Sequence, residues 1–137
     1  MSETHVLMRL GDECYALPAE HVLEVAEAGD LTALPGAGAH VLGLRSLRGR
    51  VVPVLSLAAL MGAAADPGAP GRVCVASRGD ALAGLAVDEV TDVVELPAGG
   101  EERPSELLLR SVLADERLVG VIDVDRLFAE LERRGGT

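Results

Sequence analysis

Short apolar segments, each bounded by glycine, proline or charged residues, recur along almost the whole chain. The turns between them are spaced at intervals of roughly eight to twelve residues, which is typical of short antiparallel strands. Only two or three short segments have the apolar spacing of a helix. The sequence therefore predicts a mainly β domain, either a barrel or a sandwich.

The apolar residues available for the core are small. Hydrophobic residues make up 49% of the 137-residue chain, which contains one tyrosine, one phenylalanine and no tryptophan. A core of valine, leucine and alanine suits tightly curved sheets with little interior volume, and this favours small barrels. A single domain of this length buries roughly 68–70% of the surface that its unfolded chain exposes, so it needs neither a disulfide nor a metal for a stable core.

Two hairpins stand out in the first half. Residues 6–10 and 14–17 alternate as strands around a glycine-containing turn, and residues 41–57 form two strands around a turn at Gly49. Proline has no N–H to donate to a sheet, so Pro53 predicts that the second strand of this hairpin lies at a sheet edge or in a bulge. Ser56 follows as the cap of a short helix.

The second half repeats this arrangement. Strands are predicted at residues 72–76, 81–90, 93–96, 107–113 and 118–122. A second helix follows Asp123, a good capping residue. The apolar positions of this helix are Val124, Leu127, Phe128 and Leu131, at the i, i+3, i+4, i+7 spacing of a helix with one buried face.

The charge balance excludes several classes of partner. The chain has 22 acidic and 12 basic residues, all of the latter arginine, for a net charge of -10. Such a surface repels phosphate backbones and anionic lipid headgroups, which disfavours binding to nucleic acid or to a membrane surface. No apolar run approaches the roughly 18 residues of a membrane span, and no signal peptide precedes the first strand, so we expect a cytoplasmic protein.

A catalytic or metal site is hard to assemble from these residues. His5, His21 and His40 lack metal-ligand spacing and are expected at the surface, and the chain has no serine in a G-x-S-x-G elbow. Cys14 and Cys74 are predicted to be small buried hydrophobes in a reducing compartment. The residues alone therefore indicate no catalytic site, no cofactor and no metal.

The polar residues that stand out are arginines. Arg45, Arg48 and Arg50 surround the turn of the second hairpin, and their guanidinium groups can bind carboxylates through two hydrogen bonds. Because Arg48 directly precedes Gly49, it is expected to project from the bend and to suit docking. The alternative is a small barrel that binds an anion or a nucleotide through these three arginines, which the net charge disfavours.

Acidic residues follow one strand region of the second half. These are Asp88, Glu89, Asp92 and Glu95. We interpret them as a solvated face, with an acidic strip that faces a partner as the alternative.

The arginine-containing hairpin resembles a family signature. Residues 41–57 are similar to the pattern G-x-x-N-L-R-G-x-x-x-P-V-x-D-L of CheW-like domains, which a short helix follows. Residues 82–90 and 118–127 resemble the G-x-x-V-D-x-V strand and the closing D-x-x-x-L of the same family, in the same order. The resemblance covers nearly the whole chain. Ser46 and Ser56 stand where the family usually has asparagine and aspartate.

The resemblance implies one CheW-like domain over residues 1–137. Its fold is two small SH3-like five-stranded β-barrels that share one hydrophobic core, with two or three short helices and a groove between the barrels. The approximate barrels are residues 15–75 for the first and residues 1–14 plus 76–137 for the second.

The resemblance also implies a role. Such domains are not enzymes. They are cytoplasmic adaptors that couple chemoreceptors to a CheA-type histidine kinase in chemotaxis or motility signalling, recruited to membrane-associated receptor arrays. The implied partners are the regulatory domain of the kinase and the cytoplasmic tip of a methyl-accepting receptor.

Residue roles are carried over by position in the family pattern. Val22, Glu24 and Arg48 are implied to contact the kinase or the receptor. Leu44, Val87 and Val90 are implied to line the groove that accepts the receptor. Because of the two serines, a regulator or competitor that binds one partner without bridging both is an alternative.

Overall fold

The computed structural model of the chain describes residues 2–38, 40–62 and 71–135. The strands are β1 (Ser2–Leu10), β2 (Glu13–Pro18), β3 (Val22–Glu27), β4 (Val41–Leu47), β5 (Arg50–Ser56), β6 (Arg72–Arg78), β7 (Ala81–Val87), β8 (Glu89–Pro97), β9 (Glu101–Glu102), β10 (Leu108–Ala114) and β11 (Arg117–Ile122). The helices are α1 (Leu57–Leu60) and α2 (Val124–Gly135), and a 3₁₀ turn covers Ala19–His21.

The strands form two sheets. Sheet I has the order β3-β6-β7-β5-β4, and sheet II has the order β8-β1-β2-β11-β10-β9. Neighbouring strands are antiparallel except for one parallel pair in each sheet, β5 with β7 and β2 with β11. The predicted mainly β fold with few short helices is confirmed, and so are the two hairpins of the first half.

The chain changes sheet at places that differ from the predicted barrel boundaries. Sheet I contains residues 22–87, and the other described strands all lie in sheet II. The predicted division at residues 14/15 cuts into β2, and the division at 75/76 cuts into β6. Both are wrong for a physical reason: β2 keeps its hydrogen bonds to β1, and β6 keeps its hydrogen bonds to β7.

The two outer strands of sheet I are joined by the segment that follows β3. Thr32 in this segment exchanges two backbone hydrogen bonds of 2.8 Å with Leu44 on β4. Sheet I therefore curls until its edges meet, as the small, aromatic-poor core predicts.

Pro53 does not lie on an edge strand, because β5 runs between β7 and β4. Its partner across the ladder is Leu44, whose N–H and carbonyl are directed to Thr32 rather than to β5. The pair is thus one of the non-hydrogen-bonded pairs of an antiparallel ladder, where a missing N–H costs no bond to β4. The parallel pairing with β7 begins one residue later, at Val54. The edge position predicted for Pro53 is wrong. A bulge does interrupt this ladder, between Val41 and Gly43 on β4, but it lies opposite Val54 and Leu55 rather than at Pro53.

The buried side chains form three clusters. The largest lies between the sheets and under α2, and we call it the shared core; its members include Leu17, Leu55, Leu57, Leu85, Leu127 and Phe128. A valine-rich cluster fills the inside of each sheet, with Val52 and Val73 in sheet I and Val112 and Val119 in sheet II. Each sheet thus has its own small interior, and the shared core holds the two together.

Asp123 caps α2 as predicted. Its Oδ1 accepts a hydrogen bond of 3.2 Å from the backbone N–H of Arg126, and its Oδ2 lies 2.8 Å from Nη2 of Arg103. Burial alone would raise the pKa of Asp123, but the hydrogen bonds from Arg103 and Arg126 together lower it.

The lowered pKa of Asp123 predicts a pH-dependent contribution to stability. A carboxyl group with a depressed pKa stabilises the fold above its unfolded pKa, about 3.9, and this contribution is lost as the pH falls through the folded pKa. Asn caps a helix as well as Asp, so Asp123→Asn removes the charge and keeps the cap. We expect the variant to be less stable by about 1 kcal/mol at neutral pH. Urea unfolding at several pH values should show this gap closing in acid, and a gap that does not change with pH would contradict the assignment.

Within the part of the chain that the structure describes, no helix has both the length and the apolar character to cross a membrane.

Candidate partner-binding site

Arg48 and Glu24, two of the residues implied to contact a partner, form an ion pair. Nε of Arg48 donates to Glu24 Oε2 at 3.0 Å and to Oε1 at 3.3 Å. The arginine side chain is 81% exposed, whereas that of the glutamate is 20% exposed. Because β3 and β4 are the outer strands of sheet I, this pair joins the tip of one hairpin to the opposite edge of the sheet.

The backbone of the β4–β5 turn makes Arg48 protrude. Arg48 has φ 50° and Gly49 has φ 79°. Two successive positive φ values are the mark of the two-residue type I′ hairpin turn, whose twist matches that of the flanking strands. Gly49 adopts this conformation at little cost, while Arg48 pays a steric penalty for it.

Exposed apolar residues flank this ion pair along the chain. Leu23 is 56% exposed and Val25 is 43% exposed, on either side of Glu24, and Val51 next to the turn is 65% exposed. Exposed and half-buried residues alternate along β3, so Leu23 and Val25 lie on its exposed face and Glu24 lies on its half-buried face. The reasoning from sequence missed these three residues, and their only signal was their position beside Glu24 and Arg48.

Val22 takes part in a different way. It is half-buried and packs against the shared core. Val22 and Glu24 lie two residues apart on the half-buried face of β3, so Val22 reaches the surface with only part of its side chain.

The three arginines around the turn do not converge. Nη2 of Arg50 donates to the carbonyl of Asp80 at 2.7 Å, on the β6–β7 turn, while Arg48 binds Glu24. The guanidinium of Arg45 lies against Gly29, where a side chain would overlap it. Since each arginine goes to a separate place, the structure does not support the alternative of an anion site built from all three.

The residues implied to line a groove are only partly together. Val87 belongs to the shared core and is 1% exposed, because β7 runs through the middle of sheet I under sheet II. Val90 is half-buried against the same core. Leu44 is half-buried on β4 and is not a member of that core. The implied position of Val87 in the wall of an open groove is therefore wrong, and its side chain lies beneath the surface instead.

One of the three histidines departs from its predicted surface position, and the other two are partly exposed. His5 is 1% exposed in the middle of β1, and its Nδ1 lies 2.9 Å from the carbonyl oxygen of Glu3, which accepts. Nδ1 of His21, which is half-buried, makes the same kind of contact with the carbonyl of Ser77 at 3.0 Å. His40 is also half-buried. The surface expectation is wrong for His5, because β1 lies between β8 and β2 inside sheet II.

The two cysteines differ in their surroundings. Cys74 lies in the shared core, and burial raises the pKa of its thiol to about 12, so it stays protonated and unreactive at neutral pH. Cys14 is only half-buried, and Nη1 of Arg117 lies 3.3 Å from its Sγ. Among the described residues, no group of three or more histidine, cysteine or acidic side chains is arranged to hold a metal ion.

Part of the predicted acidic face has a structural role. Oδ2 of Asp88 accepts a hydrogen bond of 2.7 Å from the backbone N–H of Gly11, and Arg9 pairs with Glu89 at 3.1 Å. These two carboxylates hold the β1–β2 turn against the start of β8. Asp92 and Glu95 are exposed.

The chain was compared with protein families and with known proteins. The family model described as CheW-like domain matches residues 4–132. A probable chemotaxis protein CheW from Rhizobium etli is 34% identical over 136 residues, which cover 93% of this chain and 88% of the relative. Protein FrzA of Myxococcus xanthus is 29% identical over 136 residues, covering 92% and 85%.

A solved structure has the same fold. The scaffolding protein TtCheW from Thermoanaerobacter tengcongensis matches with a TM-score of 0.79 and 23% identity, over 90% of this chain and 86% of that one. The family match over almost all the described residues, with the relatives and the fold in agreement, establishes that this chain belongs to the family of CheW-like domains.

Proposed function

We propose that this chain is a non-enzymatic adaptor that couples chemoreceptors to a CheA-type histidine kinase in a chemotaxis or motility pathway. It works in the cytoplasm and is recruited to membrane-associated receptor arrays. Membership of the CheW-like family and the names of its relatives support this role. The observation that carries it is the exposed Arg48–Glu24 pair on a protruding turn with exposed apolar residues beside it.

The ion pair is suited to docking rather than to stability. Exposed ion pairs contribute about 0–1 kcal/mol to folding. In the described part of the chain Arg48 donates only through Nε, so Nη1 and Nη2 stay available for a carboxylate on a partner. Charges of this kind set the register and specificity of an interface more than its affinity.

The kinase contact consists of this pair together with its apolar neighbours. The family pattern implies that Val22, Glu24 and Arg48 contact the kinase or the receptor, and we assign this contact to the kinase. Leu23 and Val25 add exposed apolar area on the same strand. We expect a small interface, near or below ~1,200 Å² in total, because repetition in an array supplies avidity.

We assign the receptor contact to the half-buried apolar residues that the family pattern implies. Leu44 and Val90 are half-buried and thus partly accessible, and Val87 supports this region from the core. Apolar side chains that are only partly exposed can contact an apolar surface of a partner. Because they are partly buried, they expose little apolar area when no partner is bound.

The experiment that tests the proposal is a pair of binding titrations. The purified chain is titrated against the regulatory domain of a CheA-type kinase and, separately, against a cytoplasmic fragment of a chemoreceptor. An adaptor binds both. Binding to one partner alone favours the regulator or competitor that Ser46 and Ser56 suggest. Ser56 itself still caps α1, because its Oγ accepts the Ala59 N–H at 3.1 Å. Binding to neither contradicts the proposal.

A further inference from the structure

An open cavity of about 390 Å³ lies between the two parts of the chain that form the two sheets. His40, Leu60 and Met61 line it from the part that forms sheet I, and residues 105–107 and α2 line it from the part that forms sheet II. Cavities at such junctions are common sites for small molecules, and this volume is within their usual range. The residues assigned above to the kinase and the receptor lie outside its lining.

Two polar atoms on residues that line this cavity lack a hydrogen-bond partner. Nδ1 of His40 and Oγ of Ser105 are both covered from solvent, and neither is bonded to any residue that the structure describes. An unpaired buried polar atom is unfavourable, because it has lost its hydrogen bonds to water and gained none in return. Rotation about one side-chain bond redirects either atom, so both residues can bond to a ligand in the cavity.

The backbone at these two residues is held by hydrogen bonds. The His40 carbonyl accepts from the N–H of Ser56, the cap of α1, at 2.8 Å, and the Ser105 carbonyl accepts from the N–H of Leu108 at 3.3 Å. A ligand therefore has to reorient side chains rather than backbone, which keeps the cost of ordering the site low.

The cavity offers a ligand one cation and one carboxylate. Arg126 on α2 and Glu106 both line it and are exposed. The backbone N–H of Arg126 is bonded to Asp123, but within the described part of the chain its guanidinium makes no ion pair or hydrogen bond, and neither does the carboxylate of Glu106. Glu130, a second carboxylate in the lining, is already engaged within the chain.

The remaining lining and the charge of the protein narrow the class of ligand. Leu60 and Met61, half-buried at the end of α1, and Ala129 on α2 provide apolar surface. A ligand with negative charge alone would be repelled by Glu106 and by the net charge of -10. A small molecule with one charge of each sign and an apolar part has no net charge to be repelled, and it can pair with both Arg126 and Glu106.

We propose that this cavity binds a small zwitterion of the amino-acid type with an apolar side chain. The carboxylate of the ligand pairs with the guanidinium of Arg126 and accepts hydrogen bonds from Ser105 and His40. Its ammonium group pairs with Glu106, and its side chain packs against the end of α1.

This site goes beyond the adaptor role. Its walls come from both parts of the chain, so a bound ligand stabilises the arrangement of the two sheets by mass action. The stability of the chain then depends on the concentration of a small metabolite as well as on its protein partners.

The test titrates the purified chain with leucine and with methionine, by calorimetry and by thermal unfolding. We expect one molecule of either amino acid to bind per chain and to raise Tm as its concentration increases. Isocaproate is leucine without its ammonium group, and isoamylamine is leucine without its carboxylate. Each should bind at least about tenfold more weakly than leucine, because each leaves one charged group of the cavity unpaired.

Variants with matched controls locate the site. Arg126→Gln removes the cation and Glu106→Gln removes the carboxylate, and each should weaken leucine binding at least about tenfold. Arg72→Gln and Glu95→Gln remove the same charges at exposed positions outside the cavity and should bind leucine like the unmodified chain. Circular dichroism verifies that all four variants are folded.

Several results would overturn the proposal. One is a chain that binds neither amino acid, which leaves the cavity to water alone. Others are isocaproate or isoamylamine binding as tightly as leucine, unchanged binding in both cavity variants, or an equal loss of binding in the controls. Because the assay contains neither kinase nor receptor, these results are independent of the adaptor role.

Discussion

Replacing Arg48 with glutamate is expected to abolish binding to the kinase regulatory domain while the domain stays folded. The side chain is 81% exposed, so its loss removes about 0–1 kcal/mol of stability. The new carboxylate faces Glu24 and repels the acidic groups of the partner that the arginine recognises, which should weaken binding at least about tenfold. Calorimetric titration against the kinase domain measures this effect.

Two further variants make this result specific. Arg72→Glu reverses an exposed charge on β6 of the same sheet and should bind like the unmodified chain. The double variant Glu24→Arg with Arg48→Glu restores an ion pair within the chain but not the pattern that a partner meets, so it should recover stability without recovering binding. Unchanged binding by Arg48→Glu, or full recovery of binding in the double variant, would contradict a direct contact through Arg48.

Truncating Leu127 to alanine is expected to cause the largest loss of stability. Leu127 is fully buried, and it belongs to the shared core that holds both sheets and α2 together. Removing a buried leucine side chain costs about 2–5 kcal/mol, from lost transfer free energy and from the cavity left behind. Alanine favours a helix, so the change leaves α2 itself intact.

Urea unfolding monitored by circular dichroism gives the free energy of unfolding of this variant. The matched control is Leu23→Ala, at a position that is 56% exposed, where the loss should stay within about 0.5 kcal/mol. Equal losses at Leu127 and Leu23 would mean that the two sheets do not depend on a common core.

The local features of the fold were predictable from the sequence. Gly49 marked a two-residue turn, and Ser56 and Asp123 marked the starts of the helices, because turns and caps depend on a few neighbouring residues. The CheW-like resemblance supplied the arrangement into two halves, and the family match and the shared fold confirm it.

Features that depend on distant pairing were not predictable in this way. A proline within a strand sequence suggests a sheet edge. Pro53 is nevertheless tolerated inside sheet I, because its partner Leu44 makes its backbone hydrogen bonds with Thr32 instead. The barrel boundaries were misplaced because β2 and β6 each stay with the hairpin partner that adjoins them, which position along the chain does not reveal.

In the candidate site, too, the features that depend on distant residues were not predictable from the sequence. Arg48 and Glu24 lie 24 positions apart, and their meeting depends on the curl of sheet I. Leu23 and Val25 are exposed positions of the alternating strand β3. Because both faces of this strand carry apolar and acidic residues, hydropathy does not mark which face is exposed. The apolar residues around Val87 are typical both of a groove wall and of a buried strand. The structure shows that Val87 is buried, which its local sequence does not reveal.

The bridging role is tested most directly by sedimenting chemoreceptor-containing membranes with the kinase, in the presence and absence of this chain. We expect the kinase to reach the pellet only when the chain is added, and Arg48→Glu to leave it in the supernatant while the chain itself still sediments with the receptor. A kinase that sediments equally with and without the chain, or never sediments, would contradict the adaptor role.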